Sequence, residues 1–208
     1  MNVISHRGYW KQPAEKNSEE AFLRSFRLGF GTETDVRDAL GELVISHDPP
    51  RGGEMTLRRF LELHAETDPA LPLALNVKAD GLQGGIQEVL REFGTSSHFF
   101  FDMANPDALG YVKRGMPIYA RHSEIEVEPV LYQEAEGVWL DAFKGEWWSA
   151  RVLATHLSAG KFICIVSPEL HGRPHLDAWQ RLKDMAEHRD ERVTICTDLP
   201  EQARDFFK

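Results

Sequence analysis

A cysteine framework, a basic surplus and any long apolar run are missing from this chain, and each absence narrows what it does. Its 208 residues hold two cysteines, Cys164 and Cys196. A small secreted scaffold needs many more, so both are expected as packed core thiols in a reducing compartment. The apolar run at 162–166 is far shorter than the ~20 residues that span a bilayer, so no transmembrane segment is expected. Met1-Asn2-Val3-Ile4-Ser5 has neither the basic region nor the cleavage site of a secretory leader, and a cytoplasmic location is the expectation. Against 33 Asp and Glu stand 24 Lys and Arg, a net charge of −9. That leaves no broad basic face to neutralise a nucleic-acid backbone, so nucleic acid is not expected as a partner. An anionic substrate would need a local cation to offset the field of the whole molecule.

Present instead is a regular alternation of short apolar strands and amphipathic helices, with no linker, low-complexity tract or repeat. Strands are expected at 2–5, 32–36, 73–77, 99–102, 117–120, 138–140, 162–166 and 193–196, with 43–46 a further short strand or loop segment beside the second. Asn17 and Glu20 have the spacing of a helix N-terminus ahead of Ala21, Phe22, Ser25 and Phe26. Thr56 precedes Leu57, Phe60, Leu61 and His64, which share one helical face. Further helices are expected at 82–93, 106–114, 148–157, 176–187 and 200–207. Repeated strand–helix alternation is the pattern of a compact (β/α)8 TIM barrel, here one domain over residues 1–208. A doubly wound open sheet is the alternative. No Gly-x-Gly-x-x-Gly follows the first strand, which removes support for dinucleotide binding. Trp139 and Trp179 are expected in the core, whereas Trp10, Trp147 and Trp148 either line a pocket or lie buried under loops.

In a parallel barrel, functional side chains gather where the strands end. His6 and Arg7 end the first strand. Glu33 and Asp35 are two apart on the second, so both point to one face. Asn76 and Lys78 repeat that spacing on the third. Asp102 closes the fourth, Arg121 the fifth and Asp141 the sixth; Glu169, His171 and Arg173 follow the seventh, and Asp198 the eighth. Carboxylates suit a hard divalent cation, Mg²⁺ or Ca²⁺ with Mn²⁺ as a further option. Imidazoles move protons near neutrality, and Arg and Lys clamp phosphate. Together they suit cation-assisted attack on a phosphodiester.

The stretch His6-Arg7-Gly8, Asn17-Ser18, Ala21-Phe22, Gly29, Glu33-Thr34-Asp35-Val36 and His47-Asp48, with Thr197-Asp198-Leu199-Pro200 near the end, resembles the glycerophosphodiester phosphodiesterase family. Broader relatives of that family include phosphatidylinositol phospholipases C. The resemblance implies a (β/α)8 barrel, His6 and His47 as catalytic acid and base, Arg7 on the phosphate, and Glu33 and Asp35 on the metal; the residues themselves add Lys78 as a second phosphate clamp and Asn76 as a candidate metal ligand. It implies a small-molecule phosphodiester as substrate, glycerophosphodiester-like, with glycerol, a sugar or a polyol.

This chain departs from that pattern at named places. Asn76-Val77-Lys78 stands where the family has Glu-x-Lys, and an amide oxygen carries no charge, so metal affinity should fall. Asp102, on the neighbouring strand, is expected to supply the missing charge. Glu15-Lys16-Asn17 replaces Pro-Glu-Asn, and the segment 167–173 differs as well. Arg121 and Arg173 are candidates for reading an extra anionic group. Two alternatives follow: a barrel that binds a phosphorylated small molecule without turnover, and a lyase that forms a cyclic phosphate.

Overall fold

Nine strands and seven α-helices make up the chain, and the computed structural model describes residues 1–208. In order they are β1 (Asn2–His6), α1 (Glu19–Arg27), β2 (Gly31–Ala39), β3 (Glu42–Ile45), α2 (Leu57–Thr67), β4 (Leu73–Val77), α3 (Gln83–Phe93), β5 (His98–Phe101), α4 (Asn105–Lys113), β6 (Tyr119–His122), β7 (Gly137–Leu140), α5 (Ala150–Ser158), β8 (Phe162–Val166), α6 (Leu176–Lys183), β9 (Val193–Thr197) and α7 (Pro200–Phe206). Packing divides them into two compact units: Ser5–Ile118, and Met1–Ile4 with Tyr119–Lys208.

In the first unit β2, β4 and β5 run parallel, with Asp35 beside Asn76 and Asn76 beside Phe101. All of β4 is buried, which is why an unbroken apolar run surrounds its single asparagine. β2 outruns its partner and folds back into a hairpin, with β3 antiparallel to it from Val36↔Ile45 to Ala39↔Glu42. The two-residue loop between them, Leu40-Gly41, has positive φ at both positions (52° and 88°), the twist that fits a tight hairpin. Phe22 and Phe26 of α1 meet Phe60 of α2, and the Phe22–Phe60 rings cross edge to face at 4.6 Å. Thr56 caps α2, its hydroxyl accepting from Arg59 N. At α1 the expected cap is wrong: Ser18 accepts from Ala21 N, while Asn17 lies outside the helix at φ 60°.

In the second unit β9, β8, β7 and β6 are parallel neighbours in that order, and β1 lies beside β9. Their core is a cluster of Val138, Leu140, Ile163, Ile165, Trp179, Val193 and Ile195 under α5, α6 and α7. Trp139 and Trp148 are buried as well. Cys164 and Cys196 are buried free thiols, as expected. No helix fills the link between β6 and β7, so the helices number seven. The helix expected at 176–187 stops at Lys183 and a separate 3-10 turn follows at Ala186–Arg189. No helix of the chain is long and apolar enough to cross a membrane.

Candidate active site

The turn His6-Arg7-Gly8 is built by a buried hydroxyl knot. Ser5 Oγ lies 2.8 Å from Ser25 Oγ and donates to Thr32 Oγ1 at 2.8 Å; Thr32 Oγ1 in turn accepts Gly8 N at 3.0 Å. Arg7 N donates to Glu33 O at 3.0 Å. Arg7 and Gly8 both take left-handed backbone (φ 58° and 79°). Glycine is required at the second of these: a Cβ there would stand 2.8 Å from Ala21 Cβ and 2.9 Å from the Ala21 carbonyl carbon.

Around Asp35 the expected residues converge. Its carboxylate is fully buried, with Arg7 Nε 3.1 Å from one oxygen and Lys78 Nζ 3.6 Å from the other. Asn17 Nδ2 donates to Asp35 Oδ2 at 3.1 Å, and Thr34 Oγ1 donates to Asn17 Oδ1 at 3.0 Å. Asn17 is therefore a site residue; the spacing to Glu20 pointed to a cap, and only its place in the His-Arg-Gly and Asn-Ser pattern hinted otherwise. Glu33 is 2 % exposed, with His6 Nε2 at 3.9 Å. Burial, followed by the charge of Asp35, pushes the Glu33 carboxyl well above its ordinary range; Arg7 and Lys78 oppose this, and Asp102 adds to it. Asn76 Nδ2 donates to Asp102 Oδ2 at 3.1 Å.

His47 follows the hairpin. Ser46 N donates to Asp35 O at 3.0 Å, and the half-exposed imidazole holds Asp48 through Nδ1 at 2.8 Å. That contact is the main reason the Asp48 carboxyl lies below its usual range. Arg7, Asn17 and His47 line one cavity of about 650 Å³ together with Pro13, Lys16 and Glu54. Lys16, at the position of the family's acid, packs its ammonium 4.5 Å from the Trp10 ring.

A hard cation takes carboxylate and amide oxygens. No group of three or more His, Cys, Asp or Glu side chains poised for a metal is present, and Asn76 stands where the third acid would be. Two buried oxygens, Asp35 Oδ1 and Asn76 Oδ1, nevertheless lack a hydrogen-bond donor, and neighbouring strands place their residues side by side. A buried Glu33 whose ionisation is disfavoured is also a group that a cation would relieve. This donor set fits a divalent ion at reduced charge.

The other candidates lie in the second unit and are each engaged by partners within it. Asp141 Oδ1 accepts Ala142 N at 2.8 Å and meets His171 Nε2 at 2.7 Å. Arg173 reaches Glu146 at 2.6 Å and the Ala142 carbonyl. Glu169 takes the hydroxyls of Ser167 and Thr197 and, at 3.1 Å, Asp198 N. Arg121 pairs with Glu126.

No protein-family model matches this chain, and no curated protein sequence does either. Solved structures do. A phosphodiesterase from Oleispira antarctica, in complex with the product sn-glycerol-3-phosphate, superposes with a TM-score of 0.68 at 17% identity, covering 99% of this chain and 96% of that one. Glycerophosphodiester phosphodiesterases from Agrobacterium tumefaciens (TM-score 0.67, 16% identity, 100% and 98% covered) and Thermotoga maritima (0.66, 20%, 98% and 96%) are comparably similar. The fold is thus the (β/α)8 barrel, and the chain shares it with glycerophosphodiester phosphodiesterases over its whole length.

Proposed function

We propose that this chain is a metal-dependent phosphodiesterase that hydrolyses a small glycerophosphodiester-like substrate, with His6 and His47 moving the protons. The observation that carries the reading is the buried Glu33–Asp35 pair, held by Arg7, Lys78 and Asn17 beside a cavity that His47 lines. A protein that only packs a core has no use for two buried acids next to two cations. The solved structures above share the fold, and one of them holds a phosphodiesterase product.

Glu33, Asp35 and Asn76 would hold the divalent ion, which when bound polarises a phosphoryl oxygen. Arg7 and Lys78, paired with Asp35 in the free protein, turn to the phosphate and neutralise charge that builds up in the transition state. Asp48 fixes the proton on His47 Nδ1 and leaves Nε2 to accept one from the attacking water. His6, on the short strand end beside Glu33, donates to the leaving alcohol. The cavity of about 650 Å³ is of the size that takes a small-molecule ligand.

The test is hydrolysis of glycerophosphodiesters and a chromogenic diester with Mg²⁺, Ca²⁺, Mn²⁺ or EDTA. Turnover that needs the cation and falls by at least ~100-fold in His6→Ala and in His47→Ala supports the reading. The absence of a three-acid cluster favours a second reading, a barrel that binds a phosphorylated small molecule without turnover. Tight binding of sn-glycerol-3-phosphate with no hydrolysis of any diester would select that one.

A further inference from the structure

Asn76 donates its only amide group to Asp102, and this contact fixes more than one side chain. With Nδ2 committed at 3.1 Å, the opposite end of the amide, Oδ1, is the atom left for a cation, and it is buried without a donor. Asp102 itself sits just past β5 in left-handed backbone, φ 64°, a conformation that Asp and Asn tolerate and most side chains do not. Asn76 is beside Phe101 in register, so this turn brings the carboxylate back against the amide instead of letting it follow the strand. Two acids on β2, Glu33 and Asp35, and a third just after β5, Asp102, thus flank β4, the strand between them, whose neutral amide touches Asp102.

We propose that Asp102 restores to the cation site the charge that Asn76 lacks, with Glu33 and Asp35 as the carboxylate ligands, Asn76 Oδ1 as a neutral one, and Asp102 as a third negative charge held behind the amide. This rests on the cation site proposed above. Charge count is a main determinant of affinity for hard cations, so moving the third acid one strand over preserves it. Asn76 then has a double role, ligating through one end of the amide and pinning Asp102 through the other. Second partners of this kind are worth roughly 10–100-fold in metal affinity.

The experiment is titration calorimetry of Mg²⁺, Ca²⁺ and Mn²⁺, without substrate, into the whole protein and into Asp102→Asn, Asn76→Glu and the double variant. Asn keeps the left-handed backbone and can still accept from Asn76, so Asp102→Asn removes charge with little else; equal melting temperatures in EDTA check this. Affinity should fall at least ~10-fold in Asp102→Asn and return in the double variant, where the acid moves back to β4. Unchanged affinity in Asp102→Asn, no recovery in the double variant, or no divalent binding by the original protein would each overturn the proposal. Because no substrate is present, the two ideas separate. Cation binding that depends on Asp102 without turnover of any diester sinks only the phosphodiesterase reading. Cation-dependent turnover with unchanged affinity in Asp102→Asn sinks only this one.

Discussion

Acid should destabilise this protein through one histidine whose surroundings leave no room for its charge. His156, on α5, is 4 % exposed, with Nε2 2.9 Å from His122 Nδ1 and Nδ1 2.9 Å from Tyr132 OH. Trp147 lies edge-on to His122, and Lys161 Nζ covers the Tyr132 ring. Burial first, and His122 second, push the His156 pKa down to about 4 from 6.5. A depressed folded pKa means that the native state holds fewer protons than the unfolded one below pH ~6.5. Stability is therefore intact above that pH and is lost as pH falls towards 4. At 1.36 kcal/mol per unit, the full loss is about 3 kcal/mol. Between pH 7.5 and pH 5 the same two pKa values give about 2 kcal/mol, which is ~4–8 °C of melting temperature for a chain of this length. His156→Gln cannot take a proton and should lose that share of the acid sensitivity, leaving what His64, His98 and His122, also depressed by burial, contribute. Urea titrations of both proteins at pH 7.5, 6 and 5 read it directly. Parallel pH dependence in the two proteins would refute the reasoning.

Three other outcomes are expected. Leu40 occupies a left-handed turn position and points fully into solvent (106 % exposed), so Leu40→Asn should raise stability by about 0.5–1 kcal/mol in urea unfolding. Gly8→Ala combines left-handed strain with a clash against the backbone of α1 and should cost at least about 2 kcal/mol, read as an unfolding midpoint shifted to lower urea. Phe60→Ala empties the contact between α1 and α2, where Phe22 and Phe26 lose their ring partner, and should cost about 3–5 kcal/mol by the same assay.

Much of the architecture is legible in the residues because burial writes it there. The run at 162–166 is apolar throughout, that at 73–77 apolar but for Asn76, and the strands match both end to end. β6 begins two residues later than expected. Pro117 has no amide proton for a ladder, and its carbonyl accepts Phe100 N at 2.9 Å before the strand begins. Around the site, i, i+2 spacing was enough to put Glu33 and Asp35 on one face, but not to find Asn17. Asn17 and Ser18 are both cap-forming residues, and local pattern cannot rank them. The choice is made by a carboxylate 18 positions away. The Asn76–Asp102 contact follows from strand order, since Asp102 follows directly on the strand beside Asn76; its left-handed turn does not.

The hairpin of β2 and β3 also makes the molecule easy to instrument. Chain spliced between Leu40 and Gly41 would leave and return at one point in solvent, with four register pairs from Ala39↔Glu42 to Val36↔Ile45 separating it from His47. A fluorescent domain or surface tether inserted there would be anchored to the same ribbon that leads into His47. Such an insertion would turn strain on that ribbon into an optical or mechanical signal without altering a residue of the pocket.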